Sequence, residues 1–189
     1  MRALLCWLAT SWLLASGAHG QAMPTDERGR VAFYEVVPAD TLPAGLLYAH
    51  AKAWLLRRGY ALTTTDSAAG RLVATNAFAV YDRGYVTKKL HGKMQYQLTV
   101  DVKKGRYRQQ FTDFVFAYYH EDRTYRFVPT SKTKPLEEPT APGWQKLWDG
   151  HRQATGQAVE GFAAELKTAL LALPKPKPVA QQPRQTADW

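Results

Sequence analysis

After its first 20 residues the chain has four histidines, the side chains that most often act as general bases or metal ligands near neutral pH. They are His50, His91, His120 and His151. None stands three or four residues from another histidine or from a carboxylate, the spacing that would place two ligands on one face of a helix. His120 precedes Glu121 and Asp122, but these residues fall in a predicted turn between strands, which favours a solvated turn. The sequence therefore predicts no metal site and no cofactor.

Asp101 and Asp113 are the carboxylates that could form an acid pair, since both belong to one predicted hairpin. The register of that hairpin places them on opposite faces, which argues against a shared proton. Asp101 is expected to pair with Arg108. Asp113 is expected on the apolar face opposite Tyr96. There it would be an acid with a raised pKa, or a carboxylate satisfied by the Tyr96 hydroxyl or by backbone amides near a bulge. We prefer the second interpretation, and the first stays open.

The beginning of the chain has the pattern of a signal peptide. A positively charged start precedes an almost wholly apolar run over 3–15 and mostly small residues over 16–20. We expect cleavage near Gly20 and export, to the periplasm or out of the cell. The apolar run is too short to span a bilayer comfortably, so no stable transmembrane span is predicted. The only cysteine, Cys6, lies in that run, so the exported chain would form neither disulfides nor thiolate sites.

The formal net charge of +9 at pH 7 favours an anionic partner. Because export separates the protein from nucleic acid, we expect no nucleic-acid partner. An unknown protein, an anionic glycan or another envelope polymer fits better, although the charge could serve only solubility. The sequence has no glycine-rich phosphate loop, nucleophile elbow or zinc signature, so no enzymatic activity is predicted.

Apolar residues at periods of two and 3.6 predict a β-α-β-β-β-β-(β)-α order. Strands are predicted over 31–37, 60–65, 71–81, 90–103, 106–119 and, as a short sixth, 124–128. One helix is predicted between Pro43 and Gly59, and a second from near His151 to Pro174, after an irregular loop over 129–143. The expected divisions are a signal peptide 1–20, a polar leader 21–29, a single domain 30–173 and a disordered Pro/Lys/Gln-rich tail 174–189.

The segment 90–103 alternates apolar and polar residues, which predicts an antiparallel strand with one open face. Lys104 and Gly105 suit a tight turn. That turn fixes the pairs Asp101–Arg108, Thr99–Gln110 and Gln97–Thr112 on the polar face, and Val102–Tyr107 and Leu98–Phe111 on the apolar face. Charge and hydrophobicity agree in this register, so the hairpin is predicted with its polar face uncovered.

Two helices must cover the apolar face of such a sheet. The predicted fold class is therefore α+β, a curved antiparallel sheet with two helices on one face. This order resembles a bacterial exported family of unknown function, on the evidence of residues 31–37 leading into 47–54 and of 100–108 followed by 111–114. The resemblance implies a fold like that of the TATA-box-binding protein over about 31–173. It implies no activity and no catalytic residue.

The leading hypothesis is a non-enzymatic envelope or secreted binding module that uses the polar open face of its sheet. Its contact residues would be Gln95, Gln97, Thr99, Arg106, Arg108, Gln110 and Thr112. The alternative is a small hydrolase that uses Asp113 or a histidine in a groove beside the sheet. A third hypothesis is a structural protein that the tail 174–189 anchors to an anionic polymer.

Overall fold

Six strands in one sheet and two helices make up the part of the chain that the computed structural model describes, residues 23–83 and 88–173. The strands are β1 (Phe33–Pro38), β2 (Ala61–Asp66), β3 (Arg71–Arg83), β4 (Lys88–Lys103), β5 (Arg106–Glu121) and β6 (Phe127–Pro135), and the helices are α1 (Ala44–Arg57) and α2 (Gln145–Leu171). The strand order is β1-β5-β4-β3-β2, β6 also pairs with β5, and every pair is antiparallel. The predicted α+β class is confirmed.

Two short strands share the outer edge of β5. β1 pairs with residues 106–111 and β6 with residues 115–121. Between them, the Val31 amide donates to the Glu137 carboxylate at 3.0 Å, and the Leu136 amide donates to the Phe114 carbonyl at 3.0 Å. β4 covers the other edge, so β5 is held on both sides along most of its length.

The loop predicted over 129–143 is wrong in its first half, because β6 occupies residues 127–135. Prolines and paired charges usually interrupt a strand, which is why the sequence predicts an end at Val128. Pro129 and Pro135 are tolerated because β6 lies at the edge of the sheet, where a missing backbone donor is not needed for a further strand.

The β4–β5 hairpin has the predicted register. The observed pairs include Asp101–Arg108, Thr99–Gln110, Gln97–Thr112, Val102–Tyr107 and Leu98–Phe111. Beyond them the register shifts between Gln95 and Gln97, so that both Asp113 and Phe114 lie opposite Tyr96. This β-bulge moves the core side of β5 from odd-numbered to even-numbered residues.

Both helices pack on one face of the sheet through apolar stripes. α1 buries Leu47, Ala51, Trp54 and Leu55, and α2 buries Trp148, His151, Thr155, Val159, Leu166 and Leu170. α2 begins at Gln145, earlier than the predicted start near His151. Gly150 in this extra part costs roughly 1 kcal/mol relative to alanine. The full burial of Trp148 and the hydrogen bond from the Ala141 amide to the Gln145 side chain outweigh that cost.

The predicted signal peptide 1–20 and the predicted tail 174–189 lie outside the described residues. Part of the predicted polar leader is described, and there the Asp26 carboxylate accepts the Arg28 and Arg30 amides, both at 2.9 Å. Within residues 23–83 and 88–173, no helix has the length and apolar character needed to cross a membrane.

Candidate functional site

The open face is the side of the sheet that neither helix covers. The seven predicted contact residues on β4 and β5 lie on it, because each alternates with a neighbour that is buried on the core side. Gln95 and Arg106 are exposed, Gln97, Arg108 and Gln110 are half-buried, and Thr99 and Thr112 are only 6% and 8% exposed. The two threonines are short side chains among longer ones, so a ligand would meet the other five residues.

The cationic end of the open face, formed by Arg71, Lys103, Arg106 and Arg108, lies beside the β4–β5 turn. Asp101 stands between Arg71 and Arg108 in the sheet. Its carboxylate accepts a hydrogen bond from Arg108 Nε at 3.0 Å and lies 3.5 Å from Arg71 Nε. The hydrogen bond to Asp101 raises the pKa of Arg108 above its usual value. Asp101 therefore orients two guanidinium groups on this surface.

Lys103 and Arg106 lie directly opposite each other at the same end. Both are exposed. Neither forms a salt bridge with another residue in the described ranges. Like charges directly across an antiparallel pair destabilise it slightly. An anion bound here would relieve that repulsion.

A shallow depression of about 400 Å³ lies on the open face at the bulge in β5. The residues that line this bulge depression are Thr75, Asn76, Ala77, Gln95, Tyr96, Gln97 and Asp113. Primary amides offer both donors and acceptors, the carboxylate offers acceptors, and the small Ala77 side chain leaves room between them. A lining of this kind suits a hydroxyl-rich group better than an apolar one.

Asp113 does not face the apolar side, so the sequence prediction for this residue is wrong. Its side chain is 47% exposed, and its Oδ1 accepts a hydrogen bond from Arg30 Nη1 at 3.1 Å. The bulge is the reason, since it gives Asp113 a φ of 54° and turns its side chain to the open face. The Tyr96 hydroxyl bonds the Tyr60 hydroxyl in the core instead, at 2.6 Å. The hydrolase hypothesis thereby loses Asp113 as a buried acid and is left with a histidine as its catalytic group.

Two exposed apolar side chains flank the open face on β1. Tyr34 is 61% exposed and lies opposite Gln110, and Val36 is 43% exposed and lies opposite Arg108. A tyrosine ring with one face in water offers a stacking surface and a polar hydroxyl. The open face thus combines a cationic end, a polar depression and an aromatic flank.

A second chemically distinctive site, the histidine pair, lies on the core side, where His91 of β4 meets His151 of α2. His91 Nδ1 and His151 Nε2 are 2.7 Å apart, and the tautomers decide which ring donates. The β3–β4 register shifts between Val80 and Tyr81. His91 is therefore the extra residue of a second bulge, which points it toward α2.

Aromatic rings enclose the histidine pair. Phe116 lies 5.5 Å from His91 and 5.2 Å from His151 between ring centroids, and Trp144 lies 5.5 Å from His91. His151 is 2% exposed. Burial lowers the pKa of both histidines, that of His151 to about 4, while the charge of Asp82 acts weakly in the opposite direction. Both imidazoles are therefore neutral near pH 7.

Helical spacing does not reveal this pair, because the two rings are 60 residues apart and belong to a strand and a helix. His151 lies in the predicted second helix, three residues before Ala154 and four before Thr155, where one face of the helix must meet the sheet. Nothing in the sequence marked His91 as its partner, since a bulge leaves no mark in an alternating pattern. In the part of the chain that is described, no cluster of three or more His, Cys, Asp or Glu residues could hold a metal ion.

Comparison with known proteins identifies the fold. Residues 33–117 match the family described as "Domain of unknown function (DUF4468) with TBP-like fold". No curated protein matches the chain. The crystal structure of a TBP-like protein from Parabacteroides distasonis aligns with a TM-score of 0.59 at 14% identity, over 80% of this chain and 98% of that one.

A second crystal structure, of a DUF4468 family protein from Bacteroides ovatus, aligns with a TM-score of 0.57 at 15% identity, over 82% of this chain and 94% of that one. At such identities the likeness to these structures shows the fold alone. The family resemblance noted in the sequence is confirmed: the chain has a TBP-like fold, and its residues 33–117 match the DUF4468 family, whose function is unknown.

Proposed function

We propose that this protein is a non-enzymatic binding module, exported to the cell envelope or beyond, whose open face holds an anionic, hydroxyl-rich glycan. The observation that carries the proposal is a sheet surface that both helices leave uncovered and that has an ordered cationic end. Antiparallel sheets often leave one face in water, so openness alone would say little. The arrangement of charge and hydrogen-bonding groups on the face is what favours a ligand.

The cationic end accounts for the anionic part of the ligand. Within the described residues Asp101 pairs with two of the four basic side chains there, Arg71 and Arg108, and its single negative charge cannot neutralise both. Guanidinium groups held in a fixed plane match carboxylate, sulfate or phosphate oxygens in a two-point fashion. Lys103 and Arg106 add two further positive charges.

The middle of the face accounts for the hydroxyl-rich part. Gln97 and Gln110 stand on adjacent strands, and Gln95 and Asp113 line the bulge depression. Their amide and carboxylate groups can accept and donate hydrogen bonds to neighbouring sugar hydroxyls. Tyr34 lies at the side of this region and offers a ring for stacking.

A protein partner fits these features less well. The centre of a stable protein–protein interface is usually apolar and depleted in charged residues. Here Tyr34 and Val36 are the large apolar side chains exposed on β1, and the centre of the face consists of glutamines, threonines and charged groups. This balance favours a polar polymer.

Titration calorimetry with two matched polymer pairs tests the proposal. Polygalacturonate is compared with its methyl ester, and dextran sulfate with dextran, so that each pair differs in charge and shares a sugar backbone. Binding is expected for at least one of the anionic polymers and for neither neutral one, and it should weaken as salt is added. The double variant Arg106→Gln/Arg108→Gln should bind roughly tenfold more weakly.

Arg123→Gln is the matched control, because Arg123 is an exposed arginine in the turn beyond the far end of β5. It should bind as the unchanged protein does. Equal binding of charged and neutral polymers, an equal loss in the control, or no binding to either anionic polymer would contradict the glycan proposal. Retention of an acidic protein through Arg106 and Arg108 would replace the glycan with a protein partner.

A further inference from the structure

We propose that the histidine pair is an acid-sensitive latch. It holds the N-terminal half of α2 on the sheet while no more than one added proton is shared by the two rings, and it releases that half when both rings are protonated. This device is independent of the ligand proposed for the open face, because the pair lies on the opposite, core side of the sheet.

The two halves of α2 are held by different contacts. The N-terminal half is attached through Trp148, which packs on Phe116 with ring centroids 6.1 Å apart, and through the histidine pair. The C-terminal half packs on α1, where His50 Nδ1 lies 3.1 Å from the Leu170 carbonyl and Arg58 forms a salt bridge with Glu165. Contacts of the first half can therefore be lost while those of the second remain.

Glycines allow the helix to open between these halves. Gly150 and Gly156 lie in the N-terminal half and Gly161 just beyond it. None has another atom close to the position of a Cβ, so packing does not require glycine at these sites. Each glycine lowers the helical preference of its segment by roughly 1 kcal/mol relative to alanine. The N-terminal half consequently depends on its docking contacts to remain helical.

The short distance between the rings sets the proton requirement. At 2.7 Å, one facing nitrogen must carry a hydrogen and the other must offer a lone pair. Two neutral rings meet this condition, and so does one cationic ring beside a neutral one. When both rings are protonated, both facing nitrogens carry hydrogens, the bond is lost and two positive charges repel each other. Release therefore requires the second proton.

The surroundings do not compensate a doubly charged pair. Asp82 of β3 acts on both rings through its charge, but within the described residues it makes no hydrogen bond to either. Tyr118 of β5 faces His91 as an aromatic edge. Lys134 of β6 is positively charged and already paired with Glu138. Besides the partner ring, Asp82 is the charged residue that acts on the pair, and its effect is smaller than that of burial. A second imidazolium would therefore lie mainly among aromatic rings.

Hydrogen exchange across a pH series tests the latch. Backbone amides of residues 145–156 should lose protection as the pH falls from about 6.5 toward about 4, after correction for intrinsic exchange, because histidines released to water take up protons in this range and the buried His151 does not. The protection factors of these amides should fall at least roughly tenfold more than those of residues 159–170 or of the centre of β4. The pH dependence of the opening equilibrium should approach the uptake of two protons for each opening event. Trp144 and Trp148 fluorescence should change over the same pH range.

His91→Gln separates the latch from general acid sensitivity, because glutamine can donate or accept a hydrogen bond but cannot take up the proton. This variant should lose the steep step, while His120→Gln, at an exposed histidine near the end of β5, should keep it. Should His91→Gln fail to fold, the imidazole resonances of the unchanged protein decide the question. Coupled titration of His91 and His151 with the opening supports the latch. Independent titration, an unchanged step in His91→Gln, or loss of protection by the whole sheet at once overturns it.

Discussion

The open face and the histidine pair lie on opposite sides of the same sheet, and both use residues of β4. On the open face, side chains of adjacent strands lie opposite one another in a regular register, and most of their polar groups are exposed to solvent. The histidine pair joins a strand to a helix 60 residues away, inside an aromatic enclosure. The regular surface can change its side chains at little cost in stability, whereas the enclosed pair has little room for change.

The physical reason is the environment of each polar group. Exposed ion pairs such as that between Arg71 and Asp101 contribute little stability, since water competes for both partners. A buried imidazole has no such alternative, so a change in its charge or position acts on stability directly. Ligand-binding effects should therefore appear on the open face and stability effects at the histidine pair.

The largest expected effect in this comparison is that of Gly92→Ala, beside His91. A Cβ at position 92 would run into the Ala117 carbonyl oxygen and the Phe116 ring. Because backbone cannot yield as a flexible side chain does, the variant should lose about 3 kcal/mol of unfolding free energy. Urea denaturation followed by circular dichroism measures this loss.

Gly150→Ala is the matched control, since nothing lies within 4 Å of a Cβ built at that helical position. Alanine there should stabilise the protein by about 0.5–1 kcal/mol through its higher helix propensity. A loss of less than about 1 kcal/mol in Gly92→Ala would show that the enclosure around His91 adapts more readily than close packing implies.

The contrast also separates what the sequence could predict from what it could not. The hairpin register and the open face follow from a period-two pattern and a two-residue turn, and both are confirmed down to the Asp101–Arg108 pair. The side on which Asp113 lies was predicted incorrectly because one extra residue in a strand reverses the alternation without changing composition.

The histidine pair was missed for a related reason. Its formation requires a bulge that turns His91 to the core and a placement of α2 that brings His151 next to His91. Tertiary packing determines both the bulge and this placement. Local patterns carry no information on which strand a distant helix will cover. The start of α2 at Gln145 has the same origin, because tertiary contacts of Trp148 outweigh the weak helical preference around Gly150.

The second largest effect is expected from pH. Burial lowers the pKa of His151 in the folded state from its ordinary value of 6.5 to about 4. Between pH 6.5 and pH 4 the unfolded chain therefore binds more protons than the folded chain does. The stability from the neutral ring is fully present above pH 6.5 and is lost as the pH falls. Between pH 7 and pH 5 the unfolding free energy should drop by about 2 kcal/mol. Urea denaturation at each pH measures it.

This pH window isolates the histidines from the carboxylates. The pKa values of Asp26 and Asp122 are lowered by hydrogen bonds and that of Glu35 by the hydrogen bond from Lys167, so the stability that they add is lost only at lower pH. His151→Gln should reduce the slope of the unfolding free energy between pH 7 and pH 5 and leave the contribution of His91, whose pKa burial also lowers. An unchanged slope in this variant would assign the acid sensitivity to other groups.

The smallest of the three effects concerns Asp113, the position on the open face where the β4–β5 register shifts. Its φ of 54° is left-handed, which alanine disfavours and glycine adopts freely. Both Asp113→Ala and Asp113→Gly remove the exposed pairing with Arg30, so their difference reports the backbone alone. Asp113→Ala should be about 1 kcal/mol less stable than Asp113→Gly in urea denaturation.

Gln97→Ala, at a regular position on the adjacent strand, is the control and should change the unfolding free energy by less than about 0.5 kcal/mol. Equal stability of the two Asp113 variants would mean that the bulge relaxes without cost, and position 113 would then tolerate change as readily as position 97.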